Sequence, residues 1–120
     1  MPSTEWWSTL LRSIDRKDTP GFLDFLADDA EFRFGNGPSA HGRDAVGAAV
    51  DGFFKSIRAS EHDLLKHWQD DESAVCEGRV RYTRHDGSQI TLPFVDVLHM
   101  RGDKVARYYI YIDASPLFST

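Results

Sequence analysis

The chain has 120 residues, 41% of them hydrophobic and 12% aromatic, which suits one domain (1–120) around one core and excludes a disordered chain. A net charge of -5 with 14 scattered Lys and Arg leaves no electrostatic footprint for nucleic acid or an anionic membrane, and no apolar run reaches transmembrane length. Cys76 stands alone and forms no intramolecular disulfide, and the start MPSTEWWSTLLRS lacks the charged opening and long apolar stretch of a signal peptide, so a cytoplasmic protein is expected.

Residues 3–16 fit a helix, because Trp6, Trp7, Leu10, Leu11 and Ile14 recur at spacings of three and four. Thr19 and Pro20 read as a second helix start, with Thr19 as the cap and Pro20 at the first helical position. Ala30 to Phe34 reads as a short strand that Gly35-Asn36-Gly37-Pro38 breaks. Arg43 to Ser56 reads as a helix with Val46, Val50, Phe53 and Phe54 facing inward. A long strand over residues 61–69 follows. Three more strands come after turns at Asp70-Asp71-Glu72, His85-Asp86-Gly87 and Arg101-Gly102-Asp103. Helices followed by a run of strands imply an α+β domain: three helices packed on a strongly curved, mostly antiparallel sheet, forming a cone with an internal cavity.

One residue in the strands stands apart. Ile90, Leu92, Phe94, Leu98 and Met100 alternate on one face, and Asp96 shares their parity. A carboxylate on an apolar face is costly unless partnered or protonated, so Asp96 is the first candidate for chemistry. Its neighbours depend on the turn at His85. A two-residue loop would set Arg79 and Arg81 beside Phe94 and Asp96. A three-residue loop with Gly87 left-handed would instead align Cys76, Gly78, Val80 and Tyr82 with that face, and is preferred because it puts apolar on apolar. The same logic places Tyr108, Ile110 and Ile112 on the Asp96 side. Tyr109 and Tyr111 then join Val95 and Val97 on an outer face that a second copy could cover.

Three segments resemble the nuclear transport factor 2-like superfamily, in its SnoaL-like and ketosteroid-isomerase-like branch. They are Phe25-Leu26-Ala27-Asp28-Asp29-Ala30, His41-Gly42-Arg43-Asp44-Ala45-Val46 and Tyr108-Tyr109-Ile110-Tyr111-Ile112-Asp113 with the following Ala114-Ser115-Pro116-Leu117. The resemblance implies the cone fold and speaks weakly to activity, since this fold hosts isomerases, cyclases, epoxide hydrolases and non-enzymes. By resemblance, Asp96 matches the acid that donates to the substrate oxygen in ketosteroid isomerases, whose apolar site keeps that carboxylic acid neutral. The positions of that family's base and oxyanion tyrosine hold Phe34 and Leu10, both apolar, so steroid isomerisation is not expected. Arg79 resembles the arginine of the epoxide-hydrolase branch, but its aspartate partners fall at Arg81 and Ile110.

The expectation is a small-molecule-binding protein, an isomerase, cyclase or dehydratase acting on a hydrophobic oxygenated ligand. The alternative is a non-catalytic ligand-binding or protein-interaction module. Asp96 is the acid or base and His67 the reserve base. Tyr82, Tyr108, Phe94, Phe34 and Trp7 are the substrate-binding candidates. Asp96 could equally be a structural acid bonded to a tyrosine. His62 and His67, five apart, lie on opposite strand faces and cannot share a metal, and no zinc spacing is visible, so neither metal nor cofactor is expected. The partners expected are a hydrophobic small molecule and a second copy in a homodimer.

Overall fold

The computed structural model describes residues 2–118. Helix α1 (Thr4–Asp15) starts at Ser3, whose side chain accepts from the Trp6 amide at 3.1 Å, and buries Trp7, Leu10 and Leu11 as its spacing predicts. In α2 (Thr19–Leu23) the cap is Asp18 rather than Thr19. Asp18 accepts from the Gly21 amide at 3.1 Å, while the Thr19 hydroxyl is turned to donate to Asp51. A carboxylate one residue upstream can reach the free amides of the first turn, which leaves the threonine free to tie the helix to its neighbour.

Strand β1 (Leu26–Phe34) begins four residues before the expected Ala30, and its pairing shifts register between Leu26 and Glu31. That irregularity breaks the alternation by which a strand is recognised. A two-residue strand, β2 (Ala40–His41), pairs with it antiparallel. Helix α3 (Arg43–Ser56) has the expected bounds and follows Gly42, which sits at φ +86°. The long strands are β3 (Ala59–Gln69), β4 (Ser73–Thr83), β5 (Gln89–Arg101) and β6 (Lys104–Tyr111), and a single turn, α4 (Ser115–Phe118), follows.

The six strands run in the order β2-β1-β6-β5-β4-β3, antiparallel except for the β1–β6 pair. The sheet is curved and does not close, and the helices pack on it as the α+β reading requires. At the β4–β5 turn the register is the three-residue one: Tyr82 opposes Ile90, Gly78 opposes Phe94 and Cys76 opposes Asp96. Gly87 takes φ +89°, a conformation that glycine adopts without strain. Arg79 is therefore exposed on the other face, away from Asp96.

The inner face of β4 depends on Gly78. A Cβ there would lie 2.3 Å from the Asp63 carbonyl oxygen and 2.8 Å from the Phe94 ring. Backbone cannot yield as a flexible side chain can. Gly78→Ala should therefore lower stability by about 3 kcal/mol, read as a shift of the urea midpoint with the slope unchanged. A loss below about half a kcal/mol would mean that the strands part there without cost.

Candidate functional site

Between the sheet and the helices lies a cavity of about 290 Å³. Its wall is largely aromatic: Phe22, Phe32, Phe34, Phe53, Phe94, Tyr82 and Tyr108 all contribute. Exposed Gly37, Pro38 and Ala49 form the rim where it reaches the surface. The titratable groups on this wall are Asp96, His62, Tyr82 and Tyr108.

Asp96 is 2% exposed. Its Oδ2 accepts from the Tyr108 hydroxyl at 3.2 Å and from the Cys76 thiol at 3.7 Å, while Oδ1 has no partner among the described residues. Burial pushes the Asp96 carboxyl up to about 7, against the opposing pull of His62, Tyr108 and Cys76. Burial, and then the nearness of Asp96, also push the Cys76 thiol and the Tyr82 and Tyr108 hydroxyls up, so all three keep their protons near neutrality.

His62 is the second polar group, and sequence reasoning missed it. One ring nitrogen, Nδ1, meets Asp15 Oδ1. Asp15 is fixed in turn by the His62 backbone amide on Oδ2 at 2.9 Å and by the Ser60 hydroxyl on Oδ1 at 2.8 Å. Burial works to raise the Asp15 carboxyl, but the hydrogen bonds and charge of His62, with Ser60, outweigh it and hold Asp15 below the ordinary carboxylate range. With Asp15 ionised, Nδ1 carries a hydrogen and donates, so in the neutral ring Nε2 is an acceptor. Nε2 has no hydrogen-bond partner among the described residues. The ring packs edge-on to Phe94 with centroids 5.3 Å apart, so Phe94, resting over Gly78, also sets its tilt.

Of the residues singled out from sequence, Asp96, Tyr82, Tyr108, Phe94 and Phe34 come together on the cavity wall. Trp7 and His67 do not. Trp7 is wholly buried in the core, its ring 5.3 Å from that of Trp6, and its Nε1 has no partner among the described residues. His67 Nε2 meets the Thr4 hydroxyl at 2.8 Å, at the far end of α1 from Asp15. The parity argument for the two histidines also fails. The β3–β4 register shifts between Leu64 and Lys66, so His62 opposes Val80 and His67 opposes Cys76, residues of one parity on a single face. An extra residue in a bulge restores the same side after an odd spacing.

A signal for the His62 site was present in α1. Asp15 continues the row of Trp7 and Leu11 at spacings of four, and so lies on the buried stripe. A carboxylate in the last turn also opposes the helix dipole, so its place there needs another reason.

An unclosed curved sheet, covering helices and an apolar cavity between them define an α+β cone of the small-molecule-binding type. The sequence profile of the SnoaL-like domain matches residues 7–108, and the chain belongs to that family. Three solved structures share the fold. An NTF2-like protein of unknown function from Burkholderia pseudomallei has a TM-score of 0.84 at 23% identity, covering 92% of this chain and 90% of that one. TerC co-crystallised with polyporic acid has a TM-score of 0.84 at 18% identity, covering 98% and 95%. A candidate polyketide cyclase from Xanthomonas campestris pv. campestris has a TM-score of 0.84 at 21% identity, covering 95% and 92%. No curated protein matches the chain. No helix among the described residues is long and apolar enough to cross a membrane.

Proposed function

We propose that the chain binds a neutral, mostly apolar small molecule bearing a carbonyl or hydroxyl oxygen and acts on it by acid–base chemistry. One observation carries this reading. A carboxyl with an unpartnered oxygen and an imidazole oriented by a carboxylate line a single cavity that is otherwise apolar and aromatic. In this reading His62 takes the place of the reserve base expected at His67, and Phe34, Phe94 and Tyr82 hold the ligand's apolar body. Trp7 lies in the core and is not part of the cavity wall.

The chemistry balances simply for a ketone. His62 Nε2 takes a proton from the carbon next to the carbonyl, and the C–H electron pair forms the C=C bond of an enol or enolate. Asp96 donates a hydrogen bond or its proton to the carbonyl oxygen, where charge develops. Return of the proton from His62 to another carbon isomerises the ligand; attack of the enol carbon on a second carbonyl, whose oxygen takes that proton, cyclises it; departure of a β-hydroxyl as water, carrying that proton, dehydrates it. The cavity volume is just below the lower end of the range for drug-sized ligands, so one or two rings are expected rather than four. The structural relatives co-crystallised with polyporic acid or described as a candidate polyketide cyclase favour oxygenated ring systems, but by fold alone.

The direct test is hydrogen–deuterium exchange at the α-carbon of α-tetralone in heavy water, followed by proton NMR. The protein should accelerate exchange over buffer. Tight binding without acceleration would leave the non-catalytic ligand-binding module, and neither would leave the interaction module.

A homodimer through the outer face belongs to the same proposal. Tyr111 is exposed there, and Arg33 lies 4.6 Å over the Tyr109 ring, leaving an aromatic and cationic surface. Sedimentation at high concentration should show twice the chain mass, and a monomer there would contradict the dimer.

A further inference from the structure

We infer that Tyr108 and Cys76 are positioning residues for Asp96: by donating to Oδ2 they place the acid's proton on Oδ1, the oxygen left for the ligand. This rests on the reading above that Asp96 donates to a ligand oxygen. Both donors converge on one atom, the Tyr108 hydroxyl at 3.2 Å and the Cys76 thiol at 3.7 Å, while Oδ1 has no partner among the described residues. A carboxylic acid carries a single proton. An oxygen already accepting from two sides has no free direction in which to present it, so the other oxygen becomes the donor.

The sheet builds this arrangement. Cys76 stands directly opposite Asp96 on β4. Tyr108 stands opposite Leu98 on β6, two residues along from Asp96, which is the diagonal reach of a long side chain across neighbouring strands. Both groups remain donors across the range in which Asp96 changes state, because burial and the nearness of Asp96 hold their own protons on. The other titratable groups facing Asp96 are His62 from β3 and Tyr82 from β4. The cavity side chains of α1, α2, α3 and β1 carry none. Tyr109, the next residue on β6, donates instead to Glu31 at 2.7 Å outside the cavity and therefore serves as a control. The Tyr108 ring packs 5.3 Å from Phe22 and 5.6 Å from Phe32, contacts that phenylalanine would keep.

The test reads the Asp96 carboxyl carbon by NMR through a pH titration of the ligand-free chain, alongside the carbonyl stretch of bound α-tetralone. Loss of a donor to the charged form should move the Asp96 midpoint up by about one pH unit in Tyr108→Phe. The move should be smaller in Cys76→Ala and absent in Tyr109→Phe. The ketone stretch, lowered by donation from Oδ1, should return toward its free value in Tyr108→Phe and stay put in Tyr109→Phe. An unmoved midpoint in Tyr108→Phe, or an equal move in Tyr109→Phe, overturns the assignment. Moved midpoints with no bound ketone uphold the positioning network and overturn the ligand reading alone.

Discussion

His62→Gln should slow α-tetralone exchange by about a hundredfold or more, the usual worth of a positioned general base, while the fold stays intact. Glutamine keeps polar reach in the cavity but has no basic nitrogen. The companion change, Asp15→Asn, should come close to the same loss, because an amide no longer enforces donation from Nδ1 and the ring is free to present its hydrogen to the cavity. A base that acts alone and a base that acts as one half of a pair are told apart by the double substitution. If Asp15 works only through His62, the double variant is no slower than His62→Gln. The proposal fails if His62→Gln exchanges at the wild-type rate, and His67→Gln provides the contrast, since His67 sits on Thr4 outside the cavity and its loss should leave the rate unchanged.

Asp96 should impose a pH dependence on folding of unusual sign for a carboxylate. Its folded value, pushed up to about 7 chiefly by burial, lies above the ordinary aspartate value near 3.9 in the unfolded chain. The folded state therefore binds this proton more tightly. The associated stability is complete below about pH 4 and is lost as pH rises through about 7. Three pH units correspond to about 4 kcal/mol. Asp15 acts in the opposite direction: its folded value is depressed, so its contribution is present above the ordinary carboxylate value and lost as pH falls through the folded one, which keeps it out of the Asp96 window. Asp96→Asn preserves shape and cannot ionise. Urea unfolding across roughly pH 4 to 7 should show wild type losing about 4 kcal/mol relative to Asp96→Asn. Parallel curves for the two proteins would mean that Asp96 is ionised in the fold at its ordinary value.

What could be read from the sequence followed regular periodicity. Helix α3 has the bounds that its apolar spacing and Gly42 imply, and the Asp96 face was legible because β5 alternates without interruption from Ile90 to Met100. The β4–β5 register followed from matching apolar faces around Gly87. The errors lie where regularity breaks. The β1 register shift hid its first four residues, and the β3 bulge at Leu64–Lys66 reversed the parity of everything beyond it. His67 thus shares a face with the cavity but does not reach it. His62 does reach it, and its partner Asp15 stands on the buried row of α1. Long-range pairs such as Asp15 with His62 are created by packing a helix across a strand, and neither segment alone reveals them. Trp7 lies on the apolar stripe of α1 and is buried, but burial in a core and contact with a cavity are different things that an apolar stripe does not distinguish.

The central claim is that Asp96 meets the oxygen of a neutral ligand inside this cavity. Calorimetric titration of α-tetralone into wild type and Asp96→Ala, well below and well above neutrality, tests it most directly. The account predicts binding that weakens about tenfold or more as pH rises through about 7 in the wild type, and weak, pH-independent binding in the variant. Equal affinity in both proteins at both pH values would contradict it.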